Sequence, residues 1–153
     1  YYNTSGSGNS VSGFRALYAN TTGSNNIGIG YQAGRFQADG STALADPENS
    51  IYIGNNAKGY SNADDNSIVI GYNAIGLGAN TTVLGNSSTT ITSIYGAIRI
   101  NERSSAPSDP SEGTSVIWQS DATGGGGDGD IMMKITAGGV TKTVTIVDFS
   151  TLS

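Results

Sequence analysis

Large aliphatic residues recur in short pairs along the first half of the chain, with polar residues before each pair and a glycine after it. The segments that share this pattern are Asn25-Asn26-Ile27-Gly28-Ile29-Gly30, Asn49-Ser50-Ile51-Tyr52-Ile53-Gly54, Asn66-Ser67-Ile68-Val69-Ile70-Gly71 and Asn80-Thr81-Thr82-Val83-Leu84-Gly85. An alanine lies three residues after three of these glycines, at Ala33, Ala57 and Ala74. A degenerate earlier copy runs from Asn9 to Gly13, with Ala16 in the same place. The sequence therefore contains a repeat, N-[S/N]-I-x-I-G-x-x-A, with glycine intervals of 17, 24, 17 and 14 residues.

Each repeat predicts one coil of a β-solenoid with two short strands. Ile-x-Ile alternates with a period of two, so both isoleucines face the same way from the strand. The glycine permits a sharp turn, the asparagine favours a turn before the strand, and the alanine is small enough for a tightly packed inner strand. We assign the paired aliphatic residues to the repeat core: Ile27, Ile29, Ile51, Ile53, Ile68, Ile70, Val83 and Leu84.

A single chain of such coils has a thin interior. Two buried aliphatic side chains contribute roughly 1.5–3 kcal/mol each, whereas ordering the backbone costs about 1–2 kcal/mol per residue. Stacked coils share their interiors, and three chains around a threefold axis would complete the core. We therefore expect a homotrimer; the alternatives are a monomeric solenoid and a generic β-sandwich.

The repeat carries a resemblance to known families. The N-S-I-x-I-G-x-x-A-x-G unit resembles the head repeat of trimeric autotransporter adhesins, and the variant from Ala19 to Gly34 resembles repeats of bacteriophage tail fibres still more closely. The resemblance covers about residues 9 to 88 and implies a trimeric left-handed parallel β-roll. The interval of 24 residues between Gly30 and Gly54 departs from the compact coil, and it predicts an insertion within residues 34–48.

The repeat fades after Gly85. Residues 89–100 are expected to form extended segments that close the roll, and residues 104–113, with two prolines, are expected to be a connector. The aliphatic residues of the closing segment are Ile91, Ile94, Ile98 and Ile100.

Three strands are predicted near the carboxyl end. They span residues 114–120, 131–136 and 140–149, with a glycine-rich loop over 123–130 and a hairpin turn at Gly138-Gly139. In the last strand, threonines alternate with Lys142, Val144 and Ile146, which favours one polar and one buried face. A meander of about 40 residues is too small to be stable alone, so a trimer is again expected. Residues 129–149 also resemble the carboxyl ends of phage fibre proteins, which favours a phage protein over a bacterial adhesin.

The predicted fold is thus all-β: a trimeric left-handed parallel β-roll, or solenoid, followed by a small C-terminal antiparallel β domain. The expected organisation is a repeat β-roll over residues 1–88, a transition and Pro/Ser-rich connector over 89–113, and a β-meander over 114–153.

Composition and charge exclude several classes of function. The 153 residues carry a net charge of −5 and only 7 Lys and Arg, so no basic stripe exists for nucleic acid. No apolar run approaches the ~20 residues that cross a bilayer, so we expect no membrane insertion. The opening Tyr1-Tyr2, without an initiator Met, indicates a fragment or a processed chain.

We expect no enzyme and no cofactor. The absence of His and Cys removes Ser-His-Asp and Cys-His catalysis and His or Cys metal sites. Two facing carboxylates suffice for a glycosidase, but no motif places Glu48, Glu102 or Glu112 for that chemistry. Asp121, Asp128 and Asp130 flank the glycine-rich loop without the spacing of a calcium loop, so a flexible loop is the preferred interpretation.

Receptor binding is the remaining candidate activity. Tyrosines at 31, 52, 60 and 72 and Trp118 are able to stack on sugars if they are exposed, and the insertion and the loop over 121–130 are expected to protrude. The candidate receptor contacts are Tyr31, Arg35, Phe36, Trp118, Asp121 and Asp128.

The pattern and the resemblance together predict a structural and receptor-binding segment of a homotrimeric phage tail fibre. Its expected location is the extracellular virion tail. Its expected partners are two further copies, other virion tail proteins, and a bacterial surface glycan or outer-membrane protein. The alternatives are the head of a bacterial trimeric adhesin at the cell surface and a polysaccharide-degrading tail spike.

Overall fold

A computed structural model describes residues 3–111, 113–122 and 126–151. The chain forms two compact units, residues 1–93 and 94–153. Within the described residues the regular secondary structure is β, apart from a 3-10 turn at Phe149–Thr151.

The first unit is a parallel β-solenoid, as the repeat predicts, but the prediction of two strands per coil is wrong. Within the described residues each coil contributes one short strand: β1 Ser10–Ser12, β2 Ile27–Ile29, β3 Ile51–Ile53, β4 Ile68–Ile70 and β5 Thr82–Leu84. The segments that contain the repeat alanines form no second strand; Lys58 and Ile75, each next to one of these alanines, form only an isolated parallel bridge. The strands lie parallel and in chain order in one 5-stranded sheet. Their register aligns equivalent repeat positions, so Ile27 pairs with Ile51 and Ile51 pairs with Ile68.

The turns before the strands explain the asparagine of the repeat. Asn49 and Asn66 have positive φ angles of 51° and 55°, in the left-handed region that asparagine tolerates. The Asn49 side chain donates to Asp65 Oδ1 (2.9 Å), and that of Asn66 donates to Asn80 Oδ1 (3.1 Å). In the first coil, the register of β1 with β2 places Gly8, with a φ of 69°, at this turn position instead of Asn9.

The interior of each coil is formed by the residue between the two aliphatic positions. Tyr52 and Val69 are fully buried there, together with the alanines of the repeat. At the equivalent Gly28, an added Cβ would approach Leu17 Cγ to 2.7 Å, because Leu17 already fills the space. The core cluster consists of Ala16, Leu17, Ala33, Leu44, Tyr52, Ala57, Val69 and Ala74, with Val83 packed against it.

The assignment of the isoleucine pairs to the interior of the coil is therefore wrong for the single chain. All six isoleucines lie on the opposite face of the sheet and are partly or largely accessible; Ile29 is 44% exposed. Leu84, at the end of the same row, is also exposed, whereas Val83 faces inward. Strand alternation dictates that the two isoleucines share a face, but it does not dictate which face.

A ladder of small polar side chains connects the coils. Asn26 Nδ2 donates to the carbonyl of Pro47 (2.6 Å), and the Ser50 amide donates to Asn26 Oδ1 (2.9 Å). The Ser67 amide in turn donates to Ser50 Oγ (3.1 Å). Asn26, Ser50 and Ser67 are fully buried, so the hydrogen bonds satisfy polar groups that burial would otherwise leave unpaired.

The insertion in the long coil is partly scaffold and partly surface. Its base is packed inside, with Leu44 and Pro47 buried. Its tip turns between Phe36 and Ala43, which form an antiparallel bridge. Asp39, at the exposed tip, accepts hydrogen bonds from the Thr42 hydroxyl and from backbone amides, and these lower the pKa of its carboxyl to about 2.

The segment expected to close the roll is exposed and has no regular strand over most of its length. Residues 87–105 are exposed throughout, and residues 90–101 contain no strand. The large apolar side chains of this segment are all accessible to solvent: Ile91, Ile94, Tyr95, Ile98 and Ile100.

The second unit is a 4-stranded sheet in chain order. Its strands are β6 Glu102–Arg103, β7 Ser115–Asp121, β8 Asp128–Ala137 and β9 Val140–Val147. The antiparallel meander of β7, β8 and β9 and its Gly138-Gly139 turn agree with the sequence prediction. β6 pairs with β7 in parallel, so the sheet is mixed and not purely antiparallel as expected.

The two faces of this sheet differ from the predicted polar and buried faces. Trp118 and Met132, which pair across β7 and β8, are buried on the face that carries the threonines of β9. On the other face, Ile117, Ile135 and Val144 are exposed; Val144 is 42% accessible. The apolar face of β9 is therefore uncovered in the single chain.

Candidate recognition surfaces

Aromatic side chains stack at one corner of the solenoid. In the G-x-x-A turn, the Ala33 amide donates to the Gly30 carbonyl (3.4 Å), and Gln32 has a φ of 54°. The residue after each glycine then lies above its counterpart in the next coil. Phe14 and Tyr31 stack in this way, with ring centroids 5.6 Å apart and planes inclined by 17°. Both rings are largely exposed.

Two arginines complete this corner. Arg15 Cζ lies 5.0 Å from the centroid of the Phe14 ring, and Arg35 Cζ lies 4.4 Å from that of Phe36. Both guanidinium groups also contact the ring of Tyr18, at 5.6 and 5.5 Å. At exposed sites such cation–π contacts are worth about 0.5–1 kcal/mol each. We call this group the aromatic–arginine cluster: Phe14, Arg15, Tyr18, Tyr31, Arg35 and Phe36.

The cluster unites three of the candidates predicted from the sequence with three that the prediction missed. Tyr31, Arg35 and Phe36 were predicted individually, without their mutual contacts. The missed residues come from the degenerate first repeat, Gly13-Phe14-Arg15-Ala16, and from Tyr18 just after it. Alignment of that repeat with Gly30 to Ala33 puts Phe14 and Tyr31 at equivalent positions of neighbouring coils. The stacking of these two rings was therefore predictable from the repeat.

A groove adjoins the cluster at the first coil. It has a volume of about 440 Å³ and is lined by Asn9, Val11, Gly13, Arg15, Ala16 and Tyr18. Arg15 and Tyr18 belong to both the groove and the cluster. The volume lies within the range of about 300–1,000 Å³ typical of small-ligand sites.

The candidates of the second unit do not form a comparable site. Trp118 is 2% exposed, so its ring is not available for stacking on a sugar. Asp121 and Asp128 lie opposite each other in the β7–β8 pair, and Asp128 is exposed. Asp130 is buried and accepts a hydrogen bond from the Gly127 amide (2.6 Å). Within the described residues, no group of three acidic side chains is placed to hold a metal ion.

Tyr52 has an interior position, unlike the other tyrosines considered for sugar stacking. Its hydroxyl donates to Asp64 Oδ2 (3.3 Å), and both side chains are buried. Burial, reinforced by the negative charge of Asp64, raises the pKa of Tyr52 well above its ordinary value. Tyr60 and Tyr72 are exposed and remain accessible.

The outer face of the solenoid sheet carries two continuous rows of isoleucine. One row contains Ile27, Ile51 and Ile68, and the other contains Ile29, Ile53 and Ile70. We call these six residues the isoleucine ladder. The rows continue into Ser10 and Ser12 at one end and into Thr82 and Leu84 at the other, so they include no charged residue. Such a face resembles the core of an interface more than an ordinary protein surface.

Comparisons with known protein families, with curated proteins and with solved structures found no match to the chain. The part of the chain that the structure describes contains no helix with the length and apolar character needed to cross a membrane.

Proposed function

We propose that the chain is a structural and receptor-binding segment of a homotrimeric phage tail fibre that projects from the virion and recognises the bacterial surface. The isoleucine ladder is the observation that carries this proposal. Its six side chains lie in register along one face, carry no charge and remain partly or largely accessible in the single chain. Three copies around an axis parallel to the solenoid would bring three such ladders together.

Burial of this face would contribute to association. Full burial of an isoleucine side chain contributes roughly 1.5–3 kcal/mol, so burial of the three ladders of a trimer would offset part of the cost of association, which is about 4–15 kcal/mol. The exposed apolar residues over 87–105 and on the outer face of β7 to β9 provide further surface that association would bury.

Multivalency links this architecture to surface recognition. Three identical chains present three copies of each exposed cluster, and simultaneous binding raises avidity without strong individual sites. The aromatic–arginine cluster offers exposed rings for such weak contacts.

Labelling of bacterial cells tests this function. The chain, carrying a fluorophore, is incubated with a panel of bacterial strains, beside an Ile68→Asp variant and an Asn55→Asp control. Both variants add one negative charge, but only Ile68 belongs to the ladder, whereas Asn55 is exposed in a turn. The proposal predicts that the original chain and Asn55→Asp label at least one strain, and that Ile68→Asp loses about 100-fold or more in apparent affinity. Absence of labelling on every strain, or equal labelling by Ile68→Asp, would contradict the proposal.

A further inference from the structure

The aromatic–arginine cluster contains two cations, Arg15 and Arg35, that both lie against aromatic rings. The chain is acidic overall, yet two of its 7 basic residues converge on the single ring of Tyr18. Within the described residues, the guanidinium groups of Arg15 and Arg35 contact aromatic rings but form no ion pair or hydrogen bond, whereas Lys134 pairs with Asp109 at 2.9 Å. An anion bound at this corner would therefore be attracted by two positive charges.

The chemistry of the cluster defines the class of ligand. A guanidinium presents planar N–H donors that match a carboxylate, and its contact with an aromatic face consumes none of them. The adjacent Phe14–Tyr31 stack presents exposed ring surface, which suits the apolar face of a sugar ring. The neighbouring groove of about 440 Å³ gives room for further residues of an oligomer.

We propose that the aromatic–arginine cluster is a binding site for an acidic saccharide. Arg15 and Arg35 hold a carboxylate of the ligand, and the Phe14–Tyr31 stack packs against a sugar ring. This inference rests on the proposed recognition function and gives that function a chemical class of receptor. The net charge of −5 disfavours a long polyanion such as nucleic acid, because no extended basic surface offsets the repulsion.

Two matched probes separate charge recognition from stacking. The full chain is titrated, by ligand-observed NMR, with the tetrasaccharide of galacturonic acid and with its complete methyl ester, which has the same rings without the charge. The expected result is weak, roughly millimolar, binding of the acid and at least about tenfold weaker binding of the ester. Equal affinity for the two probes would overturn the proposal, as would no saturable binding of the acid below about 10 mM.

Single substitutions locate the site. Arg35→Gln and Arg15→Gln are each expected to weaken binding of the acid by about tenfold or more, because each removes one charge-assisted contact. The control Arg99→Gln makes the same change in net charge in the exposed segment outside the cluster, and it should leave the affinity within about twofold. Equal losses for all three variants would indicate a general charge effect and would overturn the assignment of the site.

The mass of each protein in solution distinguishes failure of this inference from failure of the proposed function. Loss of acid binding by a chain that remains trimeric contradicts the saccharide site alone. A monomeric chain contradicts the proposed fibre, whatever its affinity for the saccharide.

Discussion

At the scale of single residues, the buried pair of Tyr52 and Asp64 shows how the solenoid accommodates polar groups. Asp64 Oδ2 accepts hydrogen bonds from the Tyr52 hydroxyl (3.3 Å) and from the Tyr60 amide (2.8 Å). The carboxylate thus fixes the turn before β4 and satisfies the hydroxyl of a ring inside the core. Unpaired, either group would cost about 1–3 kcal/mol in this interior.

The raised pKa of Tyr52 predicts a loss of stability at alkaline pH. In the unfolded chain Tyr52 ionises near the ordinary tyrosine pKa of about 10, while burial keeps it protonated in the folded chain. The folded state then binds more protons than the unfolded state above about pH 10. The contribution of Tyr52 to the free energy of unfolding is therefore complete below about pH 10 and declines as the pH rises further. The free energy of unfolding can fall in this way by at most about 1.4 kcal/mol per pH unit.

Thermal unfolding between about pH 9 and about pH 11 measures this effect. Tyr52→Phe should lower stability at neutral pH by about 1 kcal/mol, through the lost hydrogen bond, and should show a shallower alkaline decline. Tyr60→Phe, at a ring that is 54% exposed, serves as the control and should keep the slope of the original chain. Identical slopes for Tyr52→Phe and the original chain would contradict the assigned burial of the hydroxyl.

At the scale of elements, the spacing between coils depends on the glycine that ends each strand. Gly54 has a φ of 128°, and a Cβ added there would lie 2.4 Å from the carbonyl oxygen of Gly71. A Cβ added at Gly30 would likewise lie 2.8 Å from the carbonyl group of Gly54. The glycines therefore form a stack in which the backbones of successive coils are in direct contact, and any side chain would separate the coils.

Gly54→Ala should destabilise the solenoid strongly. Backbone strain alone costs about 1–3 kcal/mol, and the clash with the next coil adds to this cost. For a chain of this size, each kcal/mol of lost stability lowers Tm by about 2–4 °C. Gly96→Ala is the matched control, because Gly96 has a φ of 130° but nothing lies within 4 Å of an added Cβ. Calorimetry should show a much larger decrease in Tm for Gly54→Ala; equal decreases would refute the role of the stack.

Local sequence patterns were sufficient to predict the strands of the solenoid. Glycine spacing and Ile-x-Ile alternation predicted where the strands lie and that they assemble into a solenoid, because both patterns involve residues that are close together in sequence. The direction of the isoleucine side chains was not predictable, since alternation is equally compatible with either face. The interior is instead decided by packing across the coil, where Leu17 faces Gly28 and Tyr52 faces inward.

The burial of Trp118 escaped prediction for a related reason. Its exposure depends on residues that are distant in sequence and cover one face of the sheet. On that face, Lys134 donates to the Pro107 carbonyl (2.8 Å) and pairs with Asp109, which fixes the connector against the strands. The Phe14–Tyr31 stack, by contrast, follows directly from the repeat and was available from the sequence.

At the scale of the whole molecule, each unit has its own uncovered apolar surface. The isoleucine ladder is partly accessible on the solenoid, and the mixed sheet exposes Ile117, Ile135 and Val144 on one face. The repeat predicts a trimer because a single chain of such coils has a thin interior. In the structure, the interior of the coils is filled by Tyr52, Val69 and their neighbours, and the isoleucines of the repeat lie on the other face of the sheet. The proposed trimer would place its contacts between chains on that face.

The mass of the chain in dilute solution, measured by light scattering after size-exclusion chromatography, tests this account most directly. We expect about three times 15.5 kDa for the original chain. Ile68→Asp should give the mass of a single chain with an unchanged β-type circular dichroism spectrum, because the charge disrupts contacts between chains without entering the coil. A well-folded monomer of 15.5 kDa for the original chain would contradict the account.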